Sequence, residues 1–210
     1  MDEQSFYHDG MLTLQRAAGG RELADMLQRQ VRRDAFTDED IAFIQSAGFF
    51  FIATSFADRP DCSFKAGNPG FVRITGPSTL EFPDYDGNLM FRTLGNIAAN
   101  PNVGLLFIRF GPAPKRVRVN GRATLVGEPA RVVAHHGAKA LIEVACTDIF
   151  PNCPRYIPDL SADAVSAYVP RPGHTPPIPE WKTYPFVTPL LPETDPHKHE
   201  IATRRNGQSP

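Results

Sequence analysis

The chain has 210 residues, enough for one sizeable domain with arms. Its 22 Lys+Arg against 23 Asp+Glu give a formal charge of -1. That balance excludes the footprint of a general nucleic-acid binder or a polybasic membrane-surface protein, though not a local basic patch. Hydrophobic residues make up 41%, which supports a real core. No apolar run approaches the roughly 20 residues of a membrane helix. The acidic start, MDEQSFYHDG, lacks a signal-peptide core, so a soluble, cytoplasmic protein is expected. Cys62, Cys146 and Cys153 show no CxxC spacing and suit a reducing compartment.

In chain order, RELADMLQRQVRR places Leu23, Met26, Leu27 and Val31 on one helical stripe. Thr37 opens a capped helix, with Asp40 three residues on, that Gly48 stops. From Phe49 the period changes. FFFIATSF reads as a buried strand, ADRPD as a turn and Cys62–Ala66 as a second strand; FVRIT and TLEF follow across GNPG and GPS. Such a meander, without GxGxxG, excludes a parallel Rossmann unit. DGNLMFRTLGNIAANP inserts one helix, capped by Asp86 or Asn88 and striped by Met90, Leu94, Ile97 and Ala98. VGLLFIRF is apolar on both faces, a central strand. In RVRVNGRATLV, Val117, Val119, Ala123 and Leu125 alternate with Arg116, Arg118, Asn120 and Arg122, giving one core face and one basic face. A short helix near Pro129–His136 and the strand LIEVACTDIF complete the pattern. The order predicts a mainly β fold, a closed antiparallel barrel with helical additions.

Three segments are expected: a helical arm over 1–35, the barrel domain over 36–160, and a proline-rich C-terminal arm over 161–210. Thirteen of the 21 prolines fall after residue 150. They exclude helix and central strand there. Trp181, Tyr184, Phe186, Val187, Leu190 and Leu191 leave two readings, a disordered tail or an extended arm lying on a neighbouring subunit.

Asn88, Arg92 and Asn96 recur at i, i+4 and i+8, with Thr93 beside them. Near a helix start they make either a phosphate cradle or an ordinary solvated face. Ser63 and Lys65 alternate on the strand entering GNPGFVRI, where Gly67 and Gly70 allow close backbone approach to a ligand; an ordinary hairpin is the other reading. Arg116, Arg118 and Arg122 form either a functional basic face or a solvated one paired with acids. The histidines lack carboxylates at ligand spacing, so no metal site is expected. No GxSxG or flanked nucleophilic cysteine occurs, so any catalysis is expected to come from an organic cofactor.

Together, FFFIATSFADRPDCSFKAGNPGFVRI, LEFPDYDGNLMFRTLGNIAANPNVGLLFIRF and KRVRVNGRATLVG resemble the pyridoxamine 5'-phosphate oxidase-like FMN-binding proteins over roughly residues 36 to 158. The resemblance implies an antiparallel split β-barrel and a homodimer with FMN at the subunit interface. It implies that Ser63, Phe64 and Lys65 lie along the ribityl chain, ring and phosphate, and that Gly87 and Asn88 lie beside the flavin. Arg92 and Thr93 match the pair gripping the phosphate, Thr93 standing where the oxidase branch has lysine. Arg116 matches a glutamine that reaches the partner chain's cofactor. Gly70 and Phe71 belong to a PGFVR segment of a less characterised branch, and Arg155 lies in NCPRYI, which resembles a segment closing over the flavin. Asn96 is added from the helix face. The true oxidases end in a strand carrying tryptophan and an arginine–histidine substrate motif; this chain ends in its proline-rich segment. The implied function is therefore an FMN-dependent oxidoreductase acting on an unknown small molecule, with NAD(P)H as one conceivable donor. A flavin-binding or storage protein without turnover, or a deazaflavin- or haem-binding split barrel, stands as the alternative.

Overall fold

The computed structural model describes residues 6–85, 89–160, 177–195 and 197–205. They fall into two compact units, one built from the chain before Arg32 and after Ala164, the other from Arg32 to Ala164. None of the described helices is long and apolar enough to cross a membrane.

In the second unit α3 (Asp38–Ser46) starts as its sequence predicts. Thr37 accepts from the Asp40 N–H, and the Asp40 carboxylate accepts from the Thr37 N–H, a reciprocal cap. The strands are β1 (Phe49–Phe56), β2 (Arg59–Ala66), β3 (Arg73–Gly76), β4 (Thr79–Asp84), β5 (Asn102–Arg109), β6 (Lys115–Val126) and β7 (Ala140–Pro151). All pairings are antiparallel, in the order β2-β1-β5-β6-β7-β4-β3. The β1–β2 hairpin turns on two residues, Ala57 and Asp58, with Ala57 at φ 49°. Residues expected in the turn thus belong to β2. Pro60 is tolerated there because β2 is an edge strand, where a missing N–H leaves no ladder bond unmade.

Period-2 alternation sends Phe50, Ile52, Leu80, Phe82, Leu105, Phe107, Val117, Val119, Ile142 and Val144 inward, all fully buried. Leu125, expected on that face, is 44% exposed near the end of β6. Phe50 meets Phe82 edge to face with centroids 4.9 Å apart. In a flat sheet β1 and β4 would lie four strand spacings apart, about 19 Å. The sheet therefore curls on itself, and the rings fill its interior. Lys65 of β2 reaches Asp84 of β4 at 2.7 Å across the gap between the edges. The architecture is an antiparallel split β-barrel. Leu94 and Ile97 of α4 (Arg92–Ala99) and Phe43 and Ile44 of α3 join the same core.

Gly121 marks a register shift in β6, where a side chain would strike the Ala145 carbonyl and approach Val144 Cγ1 to 2.9 Å. Outside the barrel, α5 (Pro129–Val133) is fastened by charge. Arg131 bridges Glu81 and Glu143, at 2.6 Å each, and His135 Nε2 lies 3.0 Å from Glu81. Burial pushes the Glu81 carboxyl up, but its bonds from His135 and Arg131 outweigh that and hold it below its ordinary value of 4.5.

In the first unit are α1 (Asp9–Ala17), α2 (Arg21–Val31) and, from the C-terminal region, two 3-10 turns (Glu180–Thr183 and Thr188–Leu190) and α6 (Lys198–Arg205). Val187, Leu191 and Ile201 bury themselves with Met26 of α2, and Leu23, Leu27, Trp181 and Leu190 pack around them. The described part of the proline-rich segment is thus ordered on its own chain. Helix, which the prolines were expected to exclude, does form there, in the proline-free run Lys198–Arg205, and Pro189 suits the first positions of a short turn. Lys182 and Asp195, both nearly buried, pair at 2.5 Å.

Gly121→Ala is expected to destabilise the barrel by about 1–3 kcal/mol through overpacking; an unchanged thermal midpoint would contradict this. A depressed carboxyl contributes stability in full above its unfolded value, and that contribution is lost as the pH falls through the folded value. Glu81→Gln should therefore cost about 1–3 kcal/mol at neutral pH and flatten the stability–pH curve on the acid side, as read by chemical denaturation.

Candidate functional site

Along β2, Asp61, Ser63 and Lys65 are half-buried while Cys62, Phe64 and Ala66 face outward. The half-buried row meets the start of α4. Arg92 donates to Asp61 Oδ1 through Nη2 at 2.7 Å and Nε at 2.9 Å. Ser63 Oγ donates to the other Asp61 oxygen at 3.2 Å, and Thr93 Oγ1 donates to Ser63 Oγ at 3.0 Å. A chain of polar contacts thus runs Arg92–Asp61–Ser63–Thr93. Lys65 is tied separately to Asp84.

These residues border a cavity of about 660 Å³. Its described polar lining includes Ser63, Lys65, Asp84, Arg92, Thr93 and Lys139. Its apolar lining includes Phe64, Leu89, Met90 and Phe91, each more than half exposed. Large apolar side chains left in water around a cavity mark a surface to be covered by a ligand or partner. No histidine, cysteine or glutamate is among the described lining residues. Among the described residues, no three His, Cys, Asp or Glu side chains gather to hold a metal ion.

The helix starts later than its apolar spacing predicts, at Arg92, because Leu89 (φ 61°) and Phe91 (φ 50°) are left-handed. Such backbone costs on the order of 1–3 kcal/mol per residue and gathers at ligand sites. Phe91 offers no side-chain cap, so among the described residues no cap side chain covers the first turn of α4, whose Arg92, Thr93 and Leu94 line the cavity. Met90 is consequently exposed and not part of the helix stripe. Asn88, and with it Gly87, lies outside the described residues.

Of the other residues singled out in the sequence, Ser63, Phe64, Lys65, Arg92 and Thr93 gather at the cavity. Asn96 instead donates to Thr54 of β1 at 3.0 Å, and Asn100 donates to the Ser55 carbonyl, also at 3.0 Å; the two amides anchor α4 to the sheet. Phe71 is a core residue stacked 5.9 Å from Phe50. Gly67 makes room for the Phe71 ring, which a Cβ would meet at 2.6 Å, and Gly70 serves a turn at φ 88°. Arg116 and Arg155 do not line the cavity. β6 lies three strands from β2, about 14 Å in a sheet. Sequence reasoning missed Asp61, Asp84 and Lys139. Strand alternation with Ser63 and Lys65 singles out Asp61, but only the curl brings in Asp84 and Lys139.

Phe64 also belongs to an aromatic face outside the barrel. It stacks on Phe49 at 5.3 Å, Phe49 stacks on Phe110 at 6.3 Å, and Phe51 meets Phe64 edge-on at 5.7 Å. Half-buried Leu106 and Ile108 continue it on β5, opposite Arg118 and Arg116.

Residues 36–153, more than half of the chain, match the family model described as pyridoxamine 5'-phosphate oxidase. The chain belongs to that family. The matched span covers the barrel and the cavity-lining residues and stops before the proline-rich segment. No curated protein matches the chain. Among solved structures it is similar to HupZ of Group A Streptococcus, with 20% identity over 55% of this chain and 93% of that one and a TM-score of 0.46. It is similar to the FAD binding protein from Mycobacterium smegmatis, with 16% identity over 57% and 97% and a TM-score of 0.42. A FAD-binding protein from Mesorhizobium loti gives 12% identity over 58% and 99%, with a TM-score of 0.41.

Proposed function

We infer that this family member binds FMN in the cavity beside α4 and works as a homodimeric, FMN-dependent oxidoreductase on a small molecule. The observation carrying the reading is the uncapped start of α4, flanked by Arg92, Thr93 and Ser63 and opening on exposed aromatic and aliphatic side chains.

The residues present fit such a group. The cavity lies within the 300–1,000 Å³ typical of cofactor pockets. A phosphate needs several N–H and O–H donors, and α4 presents backbone N–H groups, the outer edge of the 57% exposed Arg92 guanidinium and two hydroxyls. Lys65 and Lys139 add positive charge. Phe64, Met90 and Phe91 are placed to cover an aromatic ring and exclude water from it. When bound, the flavin supplies hydride exchange at N5, chemistry that the described lining side chains do not themselves carry. Asp61 holds Arg92 in position, and the Asn96 and Asn100 amides keep α4 against the sheet.

The aromatic face of Phe49, Phe51, Phe64 and Phe110 supports a pair of identical chains meeting there, because a contiguous ring cluster in water is costly. In such a pair Arg116 and Arg155, which do not line their own chain's cavity, would serve the opposite one.

Arg92→Ala is expected to weaken FMN binding about 10- to 100-fold, the worth of a hydrogen bond to a charged group, with circular dichroism and melting unchanged. Unchanged affinity in flavin-fluorescence titrations would remove the cradle assignment. Light scattering should find a dimer that Phe64→Asp, placing a charge on the aromatic face, converts to a monomer. A monomeric native chain would overturn the pairing.

A further inference from the structure

The cations of the barrel unit are mostly committed. Arg32, Arg33, Lys65, Arg92, Lys115 and Arg131 each pair with a carboxylate. Arg73 and Arg109 donate to the Ala134 and Ala113 carbonyls. Arg116 and Arg118 differ. Neither side chain has a hydrogen bond or ion pair among the described residues, and Arg116 Nε is buried without an acceptor. The two project from the same face of β6, two residues apart, about 7 Å along a strand. β7 ends opposite them, pairing Phe150 with Arg118 and Pro151 with Val117. The chain then brings Asn152 beside Arg116, its N–H donating to the Arg116 carbonyl at 3.4 Å. The Asn152 amide oxygen is likewise buried without a partner.

Like charges gather here. Burial and then the charge of Arg118 push the Arg116 guanidinium below its ordinary value; nearby Arg155 acts in the same direction, and Cys153 opposes them. A guanidinium cannot shed its proton at any ordinary pH, so the repulsion is relieved only by a counter-ion. Carboxylates that meet β6 and β7 from elsewhere or lie on them are already engaged: Glu39 of α3 with Lys115, and Asp148 of β7 with Arg32 and Thr147. A buried guanidinium donor without an acceptor, beside the unpartnered Arg118 on the same face, calls for an oxyanion, to which the Asn152 amide oxygen, itself an acceptor, contributes nothing.

We propose that Arg116 and Arg118 form an oxyanion-binding site that takes the carboxylate or phosphate of an acidic small molecule. It stands apart from the Arg92 cradle, three strands away. The binding itself does not depend on flavin; only its extension, that the substrate is an acid presented to the opposite chain's flavin, rests on the dimeric FMN reading.

The test uses the full-length chain carrying Arg92→Ala, in which the cradle is disabled, titrated with inorganic phosphate and separately with succinate. Binding is followed by calorimetry and by the Nε–Hε resonance of Arg116 in nitrogen-15 spectra. The expected result is saturable binding of at least one anion with a shift of that resonance, weakened at least roughly 10-fold by adding Arg116→Gln and Arg118→Gln. The tighter anion names the group recognised. Arg118→Gln alone, at an exposed side chain, serves if the double substitution does not fold. Absence of saturable binding to the Arg92→Ala chain, or binding indifferent to Arg118→Gln, overturns the site. Failure of the native chain to bind FMN would overturn the flavin reading and leave this result standing.

Discussion

Phe50 touches Phe82 across an interior that three intervening strands would hold open in a flat sheet, and the cavity follows from that contact. The curl brings β4 back toward β2, so that Lys65 meets Asp84 and Lys139 joins the same lining. It also gives α4 a surface to lie on, with Leu94 and Ile97 in the core and Thr93 against Ser63. Without the packed rings the basic residues of β2, α4 and the segment before β7 would have no common cavity.

The charges of the barrel obey two different regimes. Around the cavity, carboxylates hold the cations without burying them: Arg92 remains 57% exposed although Asp61 takes its fork. A pair so open to water is worth about 1 kcal/mol or less, so an arriving anion can share the guanidinium at little cost. On the outer face of β6 the opposite holds. Arg116 has lost water without gaining a carboxylate, and its neighbours add charge of the same sign. The first arrangement orients a donor, and the second creates a demand for negative charge.

Most of the barrel was legible because alternation is a strong signal: Phe50, Ile52, Val117 and Val119 are buried as the period predicts. The gathering of Ser63, Phe64, Lys65, Arg92 and Thr93 was legible from alternation and helix spacing combined with family resemblance. What spacing hid were effects of backbone and topology. Leu89 and Phe91 adopt left-handed conformations that no local apolar pattern announces, and they shorten the helix. Pro60 reads as turn until β2 is known to be an edge. Asp61 and Asp84 stand 23 positions apart in sequence and become counter-ions to Arg92 and Lys65 only once the sheet closes. Phe71 was singled out through the PGFVR segment that the resemblance supplied, yet its ring lies in the core in the room left by Gly67.

The burial of Met26 against Val187, Leu191 and Ile201 joins a segment that precedes the barrel in sequence to one that follows it. During synthesis α2 leaves the ribosome before the barrel strands, whereas its apolar partners follow them. The barrel, whose strands are complete by Pro151, can form while that helix still waits with one greasy side in water. Nascent chains of this protein therefore pass through a stage in which α2 is a ready target for holding chaperones, and the emergence of Val187, Leu191 and Ile201 is what ends it.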